Sequence, residues 1–152
     1  MLVSQKCQYA IRAIFEMAKH YGEGTLKIAD IAKAQAIPAR FLEVILSELR
    51  QAGFVESRRG KAGGYFLAHP ARELTVGQII RFIEGPIAPV TCINEGSGDN
   101  AEKCPLTGSC VFLAMWERAS RALSEVYDQT TFQNLVEEEG RMQTRYVSCY
   151  SI

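Results

Sequence analysis

The sequence predicts a mainly α-helical chain carrying one small β-hairpin. Three observations predict it. Apolar residues recur at spacings of three and four in most segments of the chain. One stretch breaks that period with short apolar runs around a glycine-rich turn: Val55-Glu-Ser-Arg-Arg-Gly-Lys-Ala-Gly-Gly-Tyr-Phe-Leu67. Two short helical patterns lie directly before it, separated by Ala36-Ile37-Pro38. Helix, turn, helix and basic hairpin together form the grammar of a winged helix-turn-helix. That grammar sets one helix in the DNA major groove with a hairpin beside it.

The totals agree. At 152 residues the chain has room for one domain with a core, and 47% hydrophobic with 22% charged residues is a globular composition. No apolar run approaches the roughly 18 residues of a membrane span. Lys6, Arg12, Glu16 and Lys19 interrupt the N-terminus, unlike a secretory signal, so the expected compartment is the cytoplasm. There, five cysteines read as metal ligands or redox-active thiols before structural disulfides. No carboxylate pair, activated nucleophile or phosphate loop is visible, so no enzyme is expected. The net charge is zero, but it is unevenly spread. Residues 1–85 hold 12 Lys and Arg against 8 Asp and Glu, while residues 86–152 hold 5 against 9. The basic half is the half with the hairpin, where phosphates would be met.

In order, Ser4 can cap a first helix running to Tyr21, with Tyr9, Ala10, Ala13, Ile14, Met17 and Ala18 as its apolar stripe. Thr25 is placed to cap a second helix, Lys27 to Ala34. A third follows from Ala39 to Gln51, its buried set read as Phe41, Leu42, Ile45, Leu46 and Leu49. Arg40, Glu43, Val44, Ser47, Glu48 and Arg50 face outward. Of these, Ala39, Arg40 and Glu43 lie nearest the N-terminus, where base edges are met. Arg pairs with guanine, and Glu accepts from cytosine N4. Taken alone, this face equally suits a solvated helical hairpin. The wing decides between them. Strands Phe54–Ser57 and Tyr65–Ala68 flank Arg58, Arg59 and Lys61, and Gly60, Gly63 and Gly64 allow a sharp turn and close approach. Arginine suits a narrow minor groove. The predicted DNA-contacting set is Ala39, Arg40, Glu43, Ser47, Arg50, Ser57, Arg58, Arg59 and Lys61. Thr75 caps a further helix, Val76 to Glu84, that packs under the wing.

Cys92 to Cys110 is rich in turn residues and poor in core formers. A stretch of that kind in a compact domain is disordered or organised by something. Cys92, Cys104 and Cys110 are the candidate organisers. Their spacing fits neither a zinc finger nor a ferredoxin, and by itself leaves a metal site, a redox thiol pair and unrelated cysteines equally open. Val111 to Gln129 is the longest helix. Phe112, Met115 or Trp116, Ala119, Leu123, Val126 and Tyr127 recur at a period near 3.5, which suits packing against a second copy of the chain. Thr131 caps a last short helix, Phe132 to Glu139, and a flexible tail follows from Gly140. The expected organisation is a DNA-binding domain over 1–85, a cysteine loop over 86–110, helices over 111–139 and a tail over 140–152.

Specific motifs sharpen this. Arg40-Phe41-Leu42-Glu43, then Leu49 through Gly60, then Gly63-Gly64-Tyr65-Phe66-Leu67, and Ile79 through Gly85 ending in Ile-Glu-Gly, resemble the Rrf-two family of bacterial transcription regulators. The resemblance runs from about Ser4 to Tyr127 and includes IscR-like and NsrR-like cluster-binding members. It implies that Ala39–Gln51 is the recognition helix. It also implies that Glu43 tunes sequence choice and that Arg59 enters the minor groove. Pro38 departs from the usual Ser-like cap. The resemblance implies that Cys92, Cys104 and Cys110 hold an iron–sulfur cluster, 2Fe-2S or 4Fe-4S. Two kinds of fourth ligand occur in the family, and their positions carry Leu113 and Gln8 here, so neither is preserved. Gln8, Cys7, Asp99, Glu102 and an exogenous ligand stay open.

The expected function is therefore a homodimeric DNA-binding regulator, a repressor, whose affinity for a double-stranded operator is set by a cluster sensing cluster or iron status, redox or nitric oxide. The rival is a regulator of the same fold without a cluster, responding through cysteine oxidation or a partner protein.

Overall fold

The computed structural model describes residues 3–93, 105–106 and 108–149. The element order is α1 (Gln5–Lys19), α2 (Ile28–Ala34), α3 (Ala39–Gln51), β1 (Val55–Arg58), β2 (Gly64–Leu67), α4 (Val76–Glu84), a 3-10 turn (Thr91–Ile93), α5 (Leu113–Gln129) and α6 (Phe132–Cys149).

Helix α1 is the central post. Its buried side chains, Cys7, Ala10, Ala13, Ile14, Met17 and Ala18, follow the spacings of three and four and meet α3, α4 and α6. Ser4 caps it as expected, accepting from the Cys7 N–H at 3.2 Å. Ser4 also donates its own N–H to Glu84 at 3.1 Å, which ties the start of α1 to the end of α4.

The helix-turn-helix forms where the sequence places it. Ala36 turns the chain at φ +48°, and the Ile37 N–H donates to the Ala32 carbonyl at 2.9 Å. Thr25 does not cap α2. Lys27 is the N-cap, without a side-chain bond, and the Thr25 hydroxyl instead donates to the Ala62 carbonyl in the hairpin at 2.8 Å. Phe41 is a second correction, being 64% exposed rather than buried. Leu42, Ile45, Leu46 and Leu49 already complete the inner stripe at i, i+3, i+4 and i+7. Phe41 lies one residue, about 100°, to the side.

The wing pairs β1 and β2 antiparallel, with Val55 opposite Leu67 and Arg58 opposite Gly64. It is anchored to the loop after α1. The Leu26 N–H donates to the Tyr65 carbonyl and the Tyr65 N–H to the Leu26 carbonyl, each at 2.8 Å. Phe54 meets Phe82 of α4 edge-to-face at 5.3 Å, which places α4 under the wing as expected. Thr75 and Gln78 form a full capping box on α4.

The turn joining α5 to α6 is sewn to the segment that leads into α4. Val76 N–H donates to Thr130, Phe132 N–H to Leu74 and Gln133 N–H to Ala71, at 2.9, 3.0 and 3.1 Å. Phe132 is fully buried in the core. The Thr131 hydroxyl caps α6, accepting from the Asn134 N–H at 3.1 Å. The expected flexible tail from Gly140 is corrected: α6 continues to Cys149. One glycine costs a helix interior about 1 kcal/mol. Local pairs offset it, including Arg141 with Glu138 at 3.2 Å and Thr144 with the Gly140 carbonyl at 2.9 Å, while Glu139 reaches back to Lys19 at 3.6 Å.

A buried polar knot holds α1 to the turn before α3. Glu16, 6% exposed, accepts from Gln35 Nε2 at 2.7 Å and pairs with Lys19 at 2.9 Å. Burial alone would raise its pKa. The hydrogen bonds from Lys19 and Gln35 and the charges of Lys19 and His20 outweigh that and hold it below the usual carboxylate value.

Candidate nucleic-acid interface and cysteine segment

The outer face of α3 and the hairpin tip lie on neighbouring parts of one surface. Ala39, Arg40, Glu43 and Arg50 are exposed on α3, with Ser47 half-buried. Arg58, Arg59 and Lys61 are exposed on the hairpin, with Ser57 half-buried. Arg50 Nη1 donates to Ser57 Oγ at 3.2 Å, so these two predicted contacts first contact each other and fix the wing against the end of α3. The Arg58 guanidinium lies 5.1 Å from the centre of the Phe66 ring, which holds it along the hairpin. Arg59 and Lys61 remain at the tip. Gly60 turns there at φ +109°, and Gly63 N–H donates back to its carbonyl at 2.9 Å.

The acidic residues on this side are partly answered. Glu48 pairs with Lys6 at 2.7 Å. Glu43 is exposed among the arginines. The surface thus carries exposed cations on both α3 and the hairpin, with Glu43 and Glu56 as exposed acceptors among them. Such a surface attracts a polyanion and still discriminates among bases.

Sequence reasoning named the charged residues here and turned Val44 outward, but by reading Phe41 as buried it missed the apolar pair they form. Phe41 and Val44 are 64% and 57% exposed on the same face. Their signal was the i, i+3 spacing of two apolar residues outside the completed inner stripe.

Cys92 sits half-buried in the 3-10 turn, which packs on α5. Cys110 is half-buried three residues before α5, its carbonyl accepting from the Leu113 N–H at 3.3 Å. Cys104, Asp99 and Glu102 lie outside the described residues. Among the described residues no three His, Cys, Asp or Glu side chains converge as a metal site. As donors, the two described thiols, one in the 3-10 turn that packs on α5 and one just before that helix, are soft ligands of the kind iron–sulfur clusters take. Cys7 does not fit such a role. It is fully buried, and burial, followed by the nearby Glu84 charge, pushes its thiol up to about 11. Gln8 is exposed, and its Nε2 donates to the Val3 carbonyl at 2.9 Å.

A family model described as Rrf2, an iron-dependent transcriptional regulator, matches residues 3–138. The chain belongs to the Rrf2 family. It is 34% identical over 147 residues to the helix-turn-helix transcriptional regulator CymR of Bacillus subtilis strain 168, covering 97% of this chain and 98% of that one. A solved structure described as CymR, the global cysteine regulator of B. subtilis, superposes with a TM-score of 0.72 at 34% identity, covering 91% of this chain and 98% of that chain. The structure of T. potens IscR gives the same TM-score, 0.72, at 31% identity, covering 94% of this chain and 91% of the other. These relatives make the chain an Rrf2-family helix-turn-helix transcriptional regulator, not an enzyme, and its fold the winged-helix fold of that family. Among the described residues no helix is long and apolar enough to cross a membrane.

Proposed function

We propose that this Rrf2 regulator is a cytoplasmic homodimeric repressor whose affinity for duplex DNA is set by an iron–sulfur cluster bound through Cys92, Cys104 and Cys110. The single observation behind the DNA reading is the exposed cationic hairpin, Arg58, Arg59 and Lys61, fastened beside the outer face of α3. In this reading Ala39, Arg40, Glu43 and Ser47 meet base edges. Arg50 and Ser57 hold the wing in register, and Arg59 and Lys61 reach the minor groove and its phosphates.

Dimerisation is read from α5. None of its residues is buried within its own chain, and Phe112, Leu113, Met115 and Val126 are exposed. Leu123 and Tyr127 of its apolar stripe pack on the chain's own core, and the exposed apolar residues at its start and at Val126 are left for a partner, here the same helix of a second copy. Two readers so joined would meet successive major grooves.

The cluster reading is supported by the soft donors Cys92, in the turn packed on α5, and Cys110, just before that helix, and by the family description as iron-dependent. When bound, a cluster would supply an iron centre open to redox change or to attack by nitric oxide. The chain's part is to convert a change in the 86–110 connection into a shift of α5 against α4. Arg81 and Asp128 join those helices with two hydrogen bonds, at 2.5 and 2.8 Å. The second reading is cluster-free regulation through a thiol or a partner protein. The 34% identity to a protein described as the global cysteine regulator favours it.

Anaerobic purification with iron and sulfide counts separates the two. A coloured protein with stoichiometric iron and sulfide, lost in Cys92→Ala, supports the cluster. A colourless wild-type protein whose DNA affinity responds to thiol oxidation establishes the other reading. For DNA, Arg59→Ala is expected to lower affinity and reduce the salt slope by about 1 per protomer. An unchanged slope would remove the wing from the interface.

A further inference from the structure

Phe41 and Val44 have no place in the charged set that explains phosphate and guanine or cytosine contacts. Both are large, apolar and exposed, at 64% and 57%. Spaced i, i+3, they are neighbours on one helix face. They occupy the first two turns of α3, the end of a recognition helix that meets base edges. Arg40 and Arg50 are exposed on the same helix, and Arg50 is bonded to Ser57 of the hairpin that carries the exposed Arg58, Arg59 and Lys61. A cationic surface of this kind selects a polyanion as occupant.

We propose that Phe41 and Val44 form an apolar reading pair that packs on thymine C5-methyl groups in the major groove and so gives the regulator a requirement for thymine. The inference rests on the DNA reading above. The major groove presents one apolar feature to a protein, the thymine methyl, and apolar side chains are its readers. Glu43 lies between the two residues in sequence and accepts from cytosine N4. The helix rises 1.5 Å per residue and duplex DNA about 3.4 Å per base pair. The thymine therefore sits within about two base pairs of the cytosine that Glu43 reads. Covering one methyl group contributes about 0.8 kcal/mol, a roughly fourfold effect on affinity per half-site.

The test begins with selection of duplexes from a randomised library by the purified dimeric protein. Each thymine of the selected duplex is then replaced in turn by deoxyuridine, which removes only the methyl group. The expected result is a loss of about fourfold at one or two positions per half-site, and about 15-fold when both half-sites are altered. Val44→Ala and Phe41→Ala, which draw the apolar surface back to Cβ, are expected to narrow the difference between the thymine and deoxyuridine duplexes. Val44→Thr, which keeps a methyl, is expected to retain the discrimination. Thermal melting and sedimentation of each variant, run without DNA, are expected to match wild type because both side chains are exposed.

Wild-type affinity indifferent to deoxyuridine at every position overturns the inference. So does full discrimination surviving in both alanine variants. Loss of the dimer in those variants, with base preference unchanged, would place the pair in a protein contact instead. A selected duplex with a normal salt slope but no methyl sensitivity sinks this inference alone. A wild-type protein that selects no sequence, with a salt slope indifferent to Arg59→Ala, sinks the DNA reading with it.

Discussion

Gly64 sets the position of the wing, and adding one methyl group there tests it. A Cβ built on Gly64 would meet the backbone of Leu26, with its carbonyl carbon at 2.7 Å and its nitrogen at 3.2 Å. Backbone cannot rotate away as a side chain can, so Gly64→Ala must push the hairpin off Leu26. The two hydrogen bonds between Leu26 and Tyr65, each 2.8 Å, are then lost. At about 1 kcal/mol net apiece they amount to roughly 2 kcal/mol. Gly60→Ala is the control. It has φ +109° and nothing within 4 Å of its Cβ, so it costs roughly 1–2 kcal/mol of backbone strain and leaves the Leu26 anchor intact. Urea unfolding is expected to show similar losses for both. Duplex binding at several salt concentrations separates them. Gly64→Ala displaces Arg59 and Lys61 together and is expected to lower the salt slope by about 2 per protomer, whereas Gly60→Ala retains more of it. A Gly64→Ala protein with wild-type unfolding midpoint and wild-type slope would refute the argument.

Three further expectations follow from the core. Phe132→Ala empties a fully buried site where α6 joins the reader and is expected to cost about 3–5 kcal/mol in denaturant unfolding. Glu16→Gln removes the buried carboxylate that Lys19 and Gln35 hold below its usual value of 4.5, and is expected to cost about 1–3 kcal/mol at pH 7. Because the folded pKa is depressed, that stabilisation is present above pH 4.5 and fades as pH falls through the folded value. The variant's stability profile is therefore expected to be flatter below pH 4.5 than wild type. Cys7, with its thiol pushed up to about 11 and no exposed surface, is expected to resist alkylation at pH 8 in the native protein and to react only after denaturation, as read by peptide mass spectrometry.

The local code of the reader was legible because it is written in punctuation. Ser4 and Thr75 cap helices, Ala36-Ile37-Pro38 makes the turn, and the glycine run makes the hairpin, all within a few residues of where they act. Long-range partners were not legible. Thr25 had the chemistry of a cap, but a hairpin carbonyl 37 residues away took its hydroxyl. Phe41 had the hydropathy of core, but four leucines and isoleucines had already filled the inner stripe. Gly140 had the look of a stop, but ion pairs and hydrogen bonds along α6 carried the helix through it. At the candidate site, charge marked the hairpin and spacing marked α3. The bond between Arg50 and Ser57 could not be read, since nothing in the sequence says which outward residues will turn to each other. The family resemblance alone grouped Cys92, Cys104 and Cys110, and burial separates Cys7 from the half-buried Cys92 and Cys110.

The attachment of α5 has a mechanical consequence. The helix is bolted at one end, where Asp128 grips Arg81 and Thr130 accepts from Val76. It is propped near its middle, where the Ser120 hydroxyl donates to the Ile87 carbonyl at 2.6 Å. Its other end, at Leu113, begins three residues after Cys110. Seventeen residues make a lever about 25 Å long. A displacement of about 2 Å at Leu113, the size of ordinary helix shifts, turns it through roughly 5°. In the proposed switch the cysteine segment would act at the free end of this arm, with α4 joined at its fixed end. In that switch the signal would cross the protein as an angle, with little translation of the core around Phe132.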